Sequence, residues 1–138
     1  MTVIAWDGQN LAWDSRVASC DRKYSVRKWR KLKDGRTIVV AGTLSSIVQA
    51  KGLLDGNGYP ILPSSLTNSA TIVVYDNGSV YVYDDMREAR KAKSPDAWGS
   101  GATYALGALS AGADAETACR IACKYSPTCG GKINSIRG

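Results

Sequence analysis

The strongest constraint on the fold sits at the start of the chain. Val3-Ile4-Ala5-Trp6 is a β-prone run, Asp7-Gly8 is a turn signal, and Leu11-Ala12-Trp13 resumes the apolar run. The spacing predicts a hairpin beginning at the second residue. Chain termini fray unless a sheet ties them down. A chain that commits its first residues to a strand fixes its N-terminal atoms in space, and Thr2 is held with them.

Downstream, residues 15–20 are expected to continue the second strand. Residues 25–32, Ser-Val-Arg-Lys-Trp-Arg-Lys-Leu, read as a further strand. The period of two puts Val26, Lys28, Arg30 and Leu32 on one face. Residues 33–36 form a turn, and the β-branched run 37–41 a buried strand. Gly42 marks a sharp change. Residues 43–54 carry helical spacing through Leu44, Ile47, Val48, Leu53 and Leu54, with Thr43 or Ser45 as cap. Residues 55–69, rich in Gly, Pro, Asn and Ser, read as a loop. Asp76-Asn77-Gly78-Ser79 joins two strands in a hairpin. The charged segment 86–95 reads as an exposed connection. Gly99-Ser100-Gly101 then turns from Trp98 into a small-residue helix over 103–111, which Gly112 stops. Asp114 caps a second helix reaching Tyr125, with Ala115, Ala118, Ile121 and Ala122 on its apolar stripe. Residues 127–131 break it, and 132–137 suffice for one last strand. The order predicts an α+β fold, with two antiparallel sheets facing each other and helices outside. No repeat or linker interrupts residues 1–138, so one domain is expected.

The chain contains no histidine. That excludes a Ser–His–Asp triad, a Cys–His dyad and every His-based metal site. A nucleophile here must be activated by Lys, by a carboxylate or by the chain's own amine. The net charge is +6, and the basic residues concentrate at Arg22, Lys23, Arg27, Lys28, Arg30, Lys31, Lys33 and Arg36. Such a stretch can signal a nucleic-acid partner. No aromatic single-strand platform or DNA-reading helix accompanies it, so it reads as a solvated strand face and nucleic acid is not expected. Cys20, Cys119, Cys123 and Cys129 contain no C-x-x-C pair, and Cys119 and Cys123 lie one helical turn apart. Free, mostly buried thiols in a reducing cytoplasmic setting are expected. No signal peptide or apolar run of membrane-spanning length is present. No cofactor and no metal are expected.

Thr2 follows an initiator Met whose removal would free its α-amine. An N-terminal Thr carries nucleophile and base in one residue: the hydroxyl attacks and the amine takes its proton. The reference pKa of that amine is about 7.7–8.0, so a modest downward shift makes it basic at neutral pH. With Met1 retained, the amine is blocked.

Several segments then resemble one family. Thr2-Val3-Ile4-Ala5, followed by Trp13-Asp14-Ser15-Arg16-Val17-Ala18-Ser19, resembles the opening of proteasome β subunits and the HslV peptidase. Residues 26–32 resemble the family's lysine-bearing strand, and Val40-Ala41-Gly42-Thr43 its strand-to-helix Ala-Gly turn. Residues 98–105 resemble its Gly-Ser-Gly turn into a helix, and Gly130-Gly131-Lys132-Ile133-Asn134 its late Gly-Gly before a final strand. The compactness is similar to proteasome-type proteins of bacteriophages and prophages.

The resemblance implies a shortened four-layer α-β-β-α Ntn-hydrolase fold and a threonine-type hydrolase, a peptidase using Thr2 once Met1 is gone. Lys28 would depress the pKa of the Thr2 amine, and Asp14 would orient Lys28. The Gly42 N–H would form the oxyanion hole, and Ser100 would help shuttle the proton. By residue type alone, Lys28 also suits a strand surface, Asp14 a structural pair with Arg16 or Lys28, Gly42 a plain turn and Ser100 a helix cap. The resemblance further implies peptide or unfolded-protein substrates, a homo-oligomeric ring and the cytoplasm of a bacterial or phage-infected cell. Where the family carries an Asp and then a Ser before its late Gly-Gly, this chain has Ser126 and Cys129. The helical region after the first helix is also short. Both departures raise the alternative of a catalytically silent relative with a structural or binding role.

Overall fold

A computed structural model describes residues 2–19, 22–56 and 58–137. In chain order the elements are β1 (Ile4–Trp6), β2 (Asn10–Trp13), β3 (Arg16–Ser19), β4 (Arg22–Ser25), β5 (Trp29–Lys31), β6 (Thr37–Ala41), α1 (Leu44–Leu54), α2 (Ser64–Thr67), β7 (Thr71–Asp76), β8 (Ser79–Tyr83), β9 (Arg90–Lys91), β10 (Asp96–Trp98), α3 (Ala102–Ser110), α4 (Ala115–Tyr125) and β11 (Asn134–Arg137). The described residues of Met1–Arg27 and Lys93–Gly138 form one compact unit, and those of Lys28–Ala92 a second.

The first unit is built on a four-stranded antiparallel sheet in the order β10-β1-β2-β11. The N-terminal hairpin forms, with β1 beginning at Ile4 rather than at the second residue. Asp7 closes its turn by accepting from the N–H groups of Gln9 at 2.8 Å and Asn10 at 2.7 Å. The carboxylate also accepts from Ala115 N at 2.9 Å, which ties the hairpin to the start of α4. Val3, Ala5 and Ala12 pack with Ala105 and Leu109 of α3 and with Ala115, Ala118, Cys119 and Ala122 of α4. Small side chains dominate this layer, so the helices lie close to the sheet. On the opposite strand face, Ile4, Trp6, Leu11 and Trp13 are buried as well.

Three expectations for this unit fail. Residues 15–19 do not extend β2, and Cys20 lies outside the described residues. The chain leaves the sheet at Asp14, because Ser15 N donates to Gly130 O at 3.1 Å instead of continuing the ladder. β3 then pairs with β4 as a separate ribbon, so residues 22–25 belong to a strand of their own. Asp96–Trp98 forms a strand against β1, with Ile4 opposite Trp98, in a segment read only as the approach to a turn. Ile121 is half-buried, and Cys119 takes the place on the apolar stripe assigned to it.

The second unit is an antiparallel meander, β5-β6-β7-β8-β9. Ile38, Val40, Ile72 and Val74 pack with Ile47, Ala50 and Leu54 of α1 and with Leu62 and Leu66. Thr43 caps α1 by accepting from Ser46 N. Asn77 and Gly78, at φ 49° and 89°, make the tight turn of the β7–β8 hairpin. The strand expected over 25–32 shrinks to Trp29–Lys31; Lys28 and Leu32 are buried, Arg27 and Lys31 exposed, and Trp29 and Arg30 both half-buried. The apolar stripe expected on α1 is rotated, since Leu44, Val48 and Leu53 are exposed and Ser46 and Ala50 are buried instead. The loop 55–69 contains α2, and the connection 86–95 contributes β9 to the sheet edge.

The basic stretch is not a uniformly solvated face. Arg27, Lys31 and Lys33 are exposed, but Lys28 and Arg36 are buried. The Arg22 and Lys23 side chains and Cys20 lie outside the described features. Cys119 and Cys129 are buried and Cys123 is half-buried, none of them in a disulfide. Among the described residues no helix is long and apolar enough to cross a membrane, and no cluster of His, Cys, Asp or Glu could hold a metal ion.

Candidate active site

Thr2 precedes β1 and is only 4 % exposed. Two glycines of the turn before α3 are pressed against it. Gly101 N donates to Thr2 O at 3.3 Å. Gly99 has φ 94°, and a Cβ there would overlap the Thr2 carbonyl oxygen. A Cβ at Gly101 would stand 2.8 Å from Cys129 Sγ and 3.0 Å from Val3 Cβ. The turn predicted as Gly-Ser-Gly is therefore glycine for two reasons: a left-handed backbone at 99, and close approach to the chain start at both positions.

Asp14 is fully buried at the end of β2. One carboxylate oxygen accepts from Val3 N at 3.1 Å and the other from Gly130 N at 2.9 Å. A buried carboxylate with hydrogen bonds to both oxygens is a fixed strut. It joins the residue after Thr2 to the loop after α4. The same loop is stitched down elsewhere. Ser15 Oγ donates to Lys132 O at 2.5 Å and accepts from Asn134 Nδ2 at 3.0 Å. Arg16 Nη1 donates to Cys129 O at 3.2 Å.

Ser100 lies on the exposed tip of the Gly99–Gly101 turn, and its hydroxyl does not cap α3: the cap residue is Gly101. Ser100 Oγ instead shares a hydrogen bond with Thr128 Oγ1 at 3.0 Å, and Thr128 shares another with Ser126 Oγ at 3.2 Å. Cys129 Sγ lies 3.6 Å from Ser126 Oγ and 3.9 Å from Ser100 Oγ. Ser126, where the expected carboxylate is missing, and Cys129, where a Ser was expected, thus share a hydrogen-bond network with the hydroxyls of Ser100 and Thr128. Thr128 was missed by sequence reasoning. It sits in a Pro-Thr-Cys-Gly-Gly loop that reads as a helix breaker, and only folding pairs it with a residue 28 positions earlier.

Cys119 is no rival nucleophile. Burial pushes its thiol well above the usual range, and neighbouring Cys123, Asp14 and Cys129 push it further.

Lys28 and Gly42 belong to the second unit. Lys28 is 2 % exposed, and its carbonyl accepts from Val40 N at 2.9 Å. Lysine is almost never this buried without a specific arrangement around it. Gly42 is exposed between β6 and the Thr43 cap of α1. A Cβ there would stand 2.7 Å from Ala70 Cβ, so glycine is required by packing and not only by a turn. Of the five candidates, then, Thr2, Asp14 and Ser100 lie in the first unit, and Lys28 and Gly42 in the second.

With this geometry in hand, the fold can be placed. It is the Ntn-hydrolase fold of the HslV and proteasome type. BPH of Thiobacillus denitrificans superposes with a TM-score of 0.74 at 16 % identity, covering 99 % of this chain and 96 % of that one. BPH in complex with epoxomicin gives 0.75 at 14 % identity, covering 98 % and 96 %. Eukaryotic HslV from Trypanosoma brucei gives 0.70 at 19 % identity over the whole of both chains. No protein-family model and no curated protein sequence matches the chain.

Proposed function

We propose that the chain is a threonine-type Ntn hydrolase, a peptidase whose nucleophile is Thr2 after removal of Met1, with residues 1–138 acting as one domain. The observation that carries this reading is the buried, backbone-clamped position of Thr2. Gly101 N–H holds its carbonyl, Gly99 packs on that carbonyl, and Asp14 holds the next N–H. Such fixation is what a nucleophile at a chain end needs, because a frayed terminus cannot hold a near-attack geometry.

In this mechanism the freed α-amine takes the proton of Thr2 Oγ1 as the oxygen attacks a peptide carbonyl. Lys28, a buried ammonium, lowers the pKa of that amine by like-charge repulsion. Asp14 orients Lys28 as well as bracing Val3. The Gly42 N–H stabilises the oxyanion of the tetrahedral intermediate. Ser100, backed by Thr128, passes the proton to the leaving amine. Water then releases the acyl group from Thr2. BPH, which shares the fold, is known in complex with epoxomicin, and this supports a peptide-like ligand here. The family resemblance further supports a homo-oligomeric ring of the compact phage or prophage form.

A second reading, a catalytically silent protein on the same fold, is favoured by the Ser126–Thr128–Cys129 network, which has no carboxylate where the family carries one. Turnover of fluorogenic peptide amides by the Met1-free chain separates the two. The hydrolase reading expects turnover that Thr2→Ala abolishes and that Lys28→Gln reduces by roughly two orders of magnitude or more, the usual weight of acid–base assistance. No turnover by Met1-free protein on any such substrate favours the silent reading.

A further inference from the structure

The first unit carries an open cavity of about 510 Å³, separate from the Thr2 clamp, whose lining is cationic. Arg16, Arg120, Lys124 and Lys132 supply four positive charges, and Gly130 and Gly131 supply a stretch of lining without side chains. No carboxylate is among the described residues that line it. The nearby Glu116 pairs with Arg120 at 2.5 Å, but it also serves Arg137 at 3.1 Å, so one carboxylate is divided between two guanidinium groups. Lys124 Nζ lies 5.6 Å from the Tyr125 ring centre, a contact that brings no negative charge with it.

The arrangement is built into the loop. A Cβ at Gly130 would run into the Arg16 guanidinium, so glycine there is what allows Arg16 to lie across the backbone. Arg16 is anchored by its bond to Cys129 O. A guanidinium fixed in place loses less freedom on binding an anion than a mobile one does. The cavity volume falls within the range of about 300–1,000 Å³ usual for small-molecule sites.

We propose that this cavity binds a small oligophosphate, recognised through its phosphoryl oxygens alone. Guanidinium and ammonium groups lining one cavity from three segments suit several phosphates in a row better than one. No aromatic residue is among the described residues that line the cavity, so a nucleoside attached to the phosphates would find no ring there to stack on. Bound ligand would sit against Gly130, whose N–H braces Asp14, and against the loop that carries Ser126 and Thr128. The site stands on charge and shape in one unit and holds whether or not Thr2 is reactive.

The test is calorimetry on the full chain at fixed ionic strength, with sodium tripolyphosphate and, in a second arm, metal-free ATP. Saturable binding of both, within about threefold of each other, is expected. Lys124→Gln with Lys132→Gln, both at exposed positions, should weaken it about tenfold or more, since each removes a charge-assisted contact. Lys31→Gln with Lys33→Gln, exposed in the other unit, should leave it unchanged. Half-buried Cys123 lines the cavity and reports occupancy independently. Its alkylation by iodoacetamide, followed by peptide mass mapping, should slow at least fivefold at saturating tripolyphosphate. Non-saturable binding, or equal loss in both double variants, would mean general attraction to a chain of net charge +6 and overturn the site. ATP binding far more tightly than tripolyphosphate would overturn recognition by phosphate alone.

Discussion

Replacing Gly99 by Ala tests the clamp on Thr2 without touching a reactive group. At φ 94° an Ala costs about 1–2 kcal/mol in backbone strain alone. Its Cβ would also overlap the Thr2 carbonyl oxygen and stand 2.7 Å from the carbonyl carbon. These are backbone atoms and cannot rotate aside. The Thr2 carbonyl must move, which breaks its bond from Gly101 N and adds about 1–2 kcal/mol for a buried donor left unpaired. The sum is about 2–4 kcal/mol, a large share of a typical stability of about 5–15 kcal/mol. Gly107→Ala is the control. It lies in the middle of α3, exposed, with nothing within 4 Å of an added Cβ, and should stabilise by about 0.5–1 kcal/mol. Urea denaturation followed by tryptophan fluorescence reads both. The two midpoints should move in opposite directions. A Gly99→Ala midpoint within about 0.5 kcal/mol of the parent would refute the clamp.

Asp14→Asn keeps the shape but turns an amide N–H₂ toward one of two backbone donors. A loss of about 2–4 kcal/mol is expected in the same urea assay, and an unchanged midpoint would show that the strut carries no weight. Burial of Asp7 pushes its carboxyl up, but the N–H groups of Asn10, Gln9 and Ala115 outweigh this and hold it below its ordinary 3.8. A depressed folded pKa gives stability that is present above the unfolded value and lost as pH falls through the folded one. Stability should therefore drop below about pH 4, and Asp7→Asn should flatten that part of a thermal-melt pH profile. Arg36→Ala in the second unit removes donors to Gly58 O at 2.6 Å and Leu54 O at 2.9 Å and a guanidinium 5.1 Å from the Tyr59 ring centre. A loss of about 2–4 kcal/mol by urea denaturation is expected, with the loop after α1 newly open to proteolysis.

Local signals carried much of the fold. The N-terminal hairpin, the Asn77-Gly78 turn, the Thr43 and Asp114 caps and the Gly112 stop are all short-range features, and each forms as its residues dictate. The failures are tertiary. Asp14 ends β2 because its carboxylate finds Gly130 N 116 residues away, which no window of sequence contains. Asp96–Trp98 is a strand because β1 offers it an edge, although three residues carry no period of their own. On α1, Val48 looks like core by type but faces solvent, while Ser46 is buried beside the cap. The candidate site divides in the same way. Thr2 stood out by its place after Met1, and Asp14 and Ser100 through the resemblance of their segments to one family, but the pairing of Thr128 with Ser100 and the anchoring of Arg16 rest on long-range contacts. Lys28 is buried although its basic stretch reads as a solvated strand face, and residues 26–28 are not regular strand.

The central claim is that a freed Thr2 is the reactive group. The most direct measurement is the mass of the N-terminal peptide after treatment with a peptide epoxyketone. The account expects a fragment beginning at Thr2 and carrying one probe, with Thr2→Ala left unmodified. A fragment that begins at Thr2 yet stays unmodified at saturating probe, or a probe found on another residue, would contradict it.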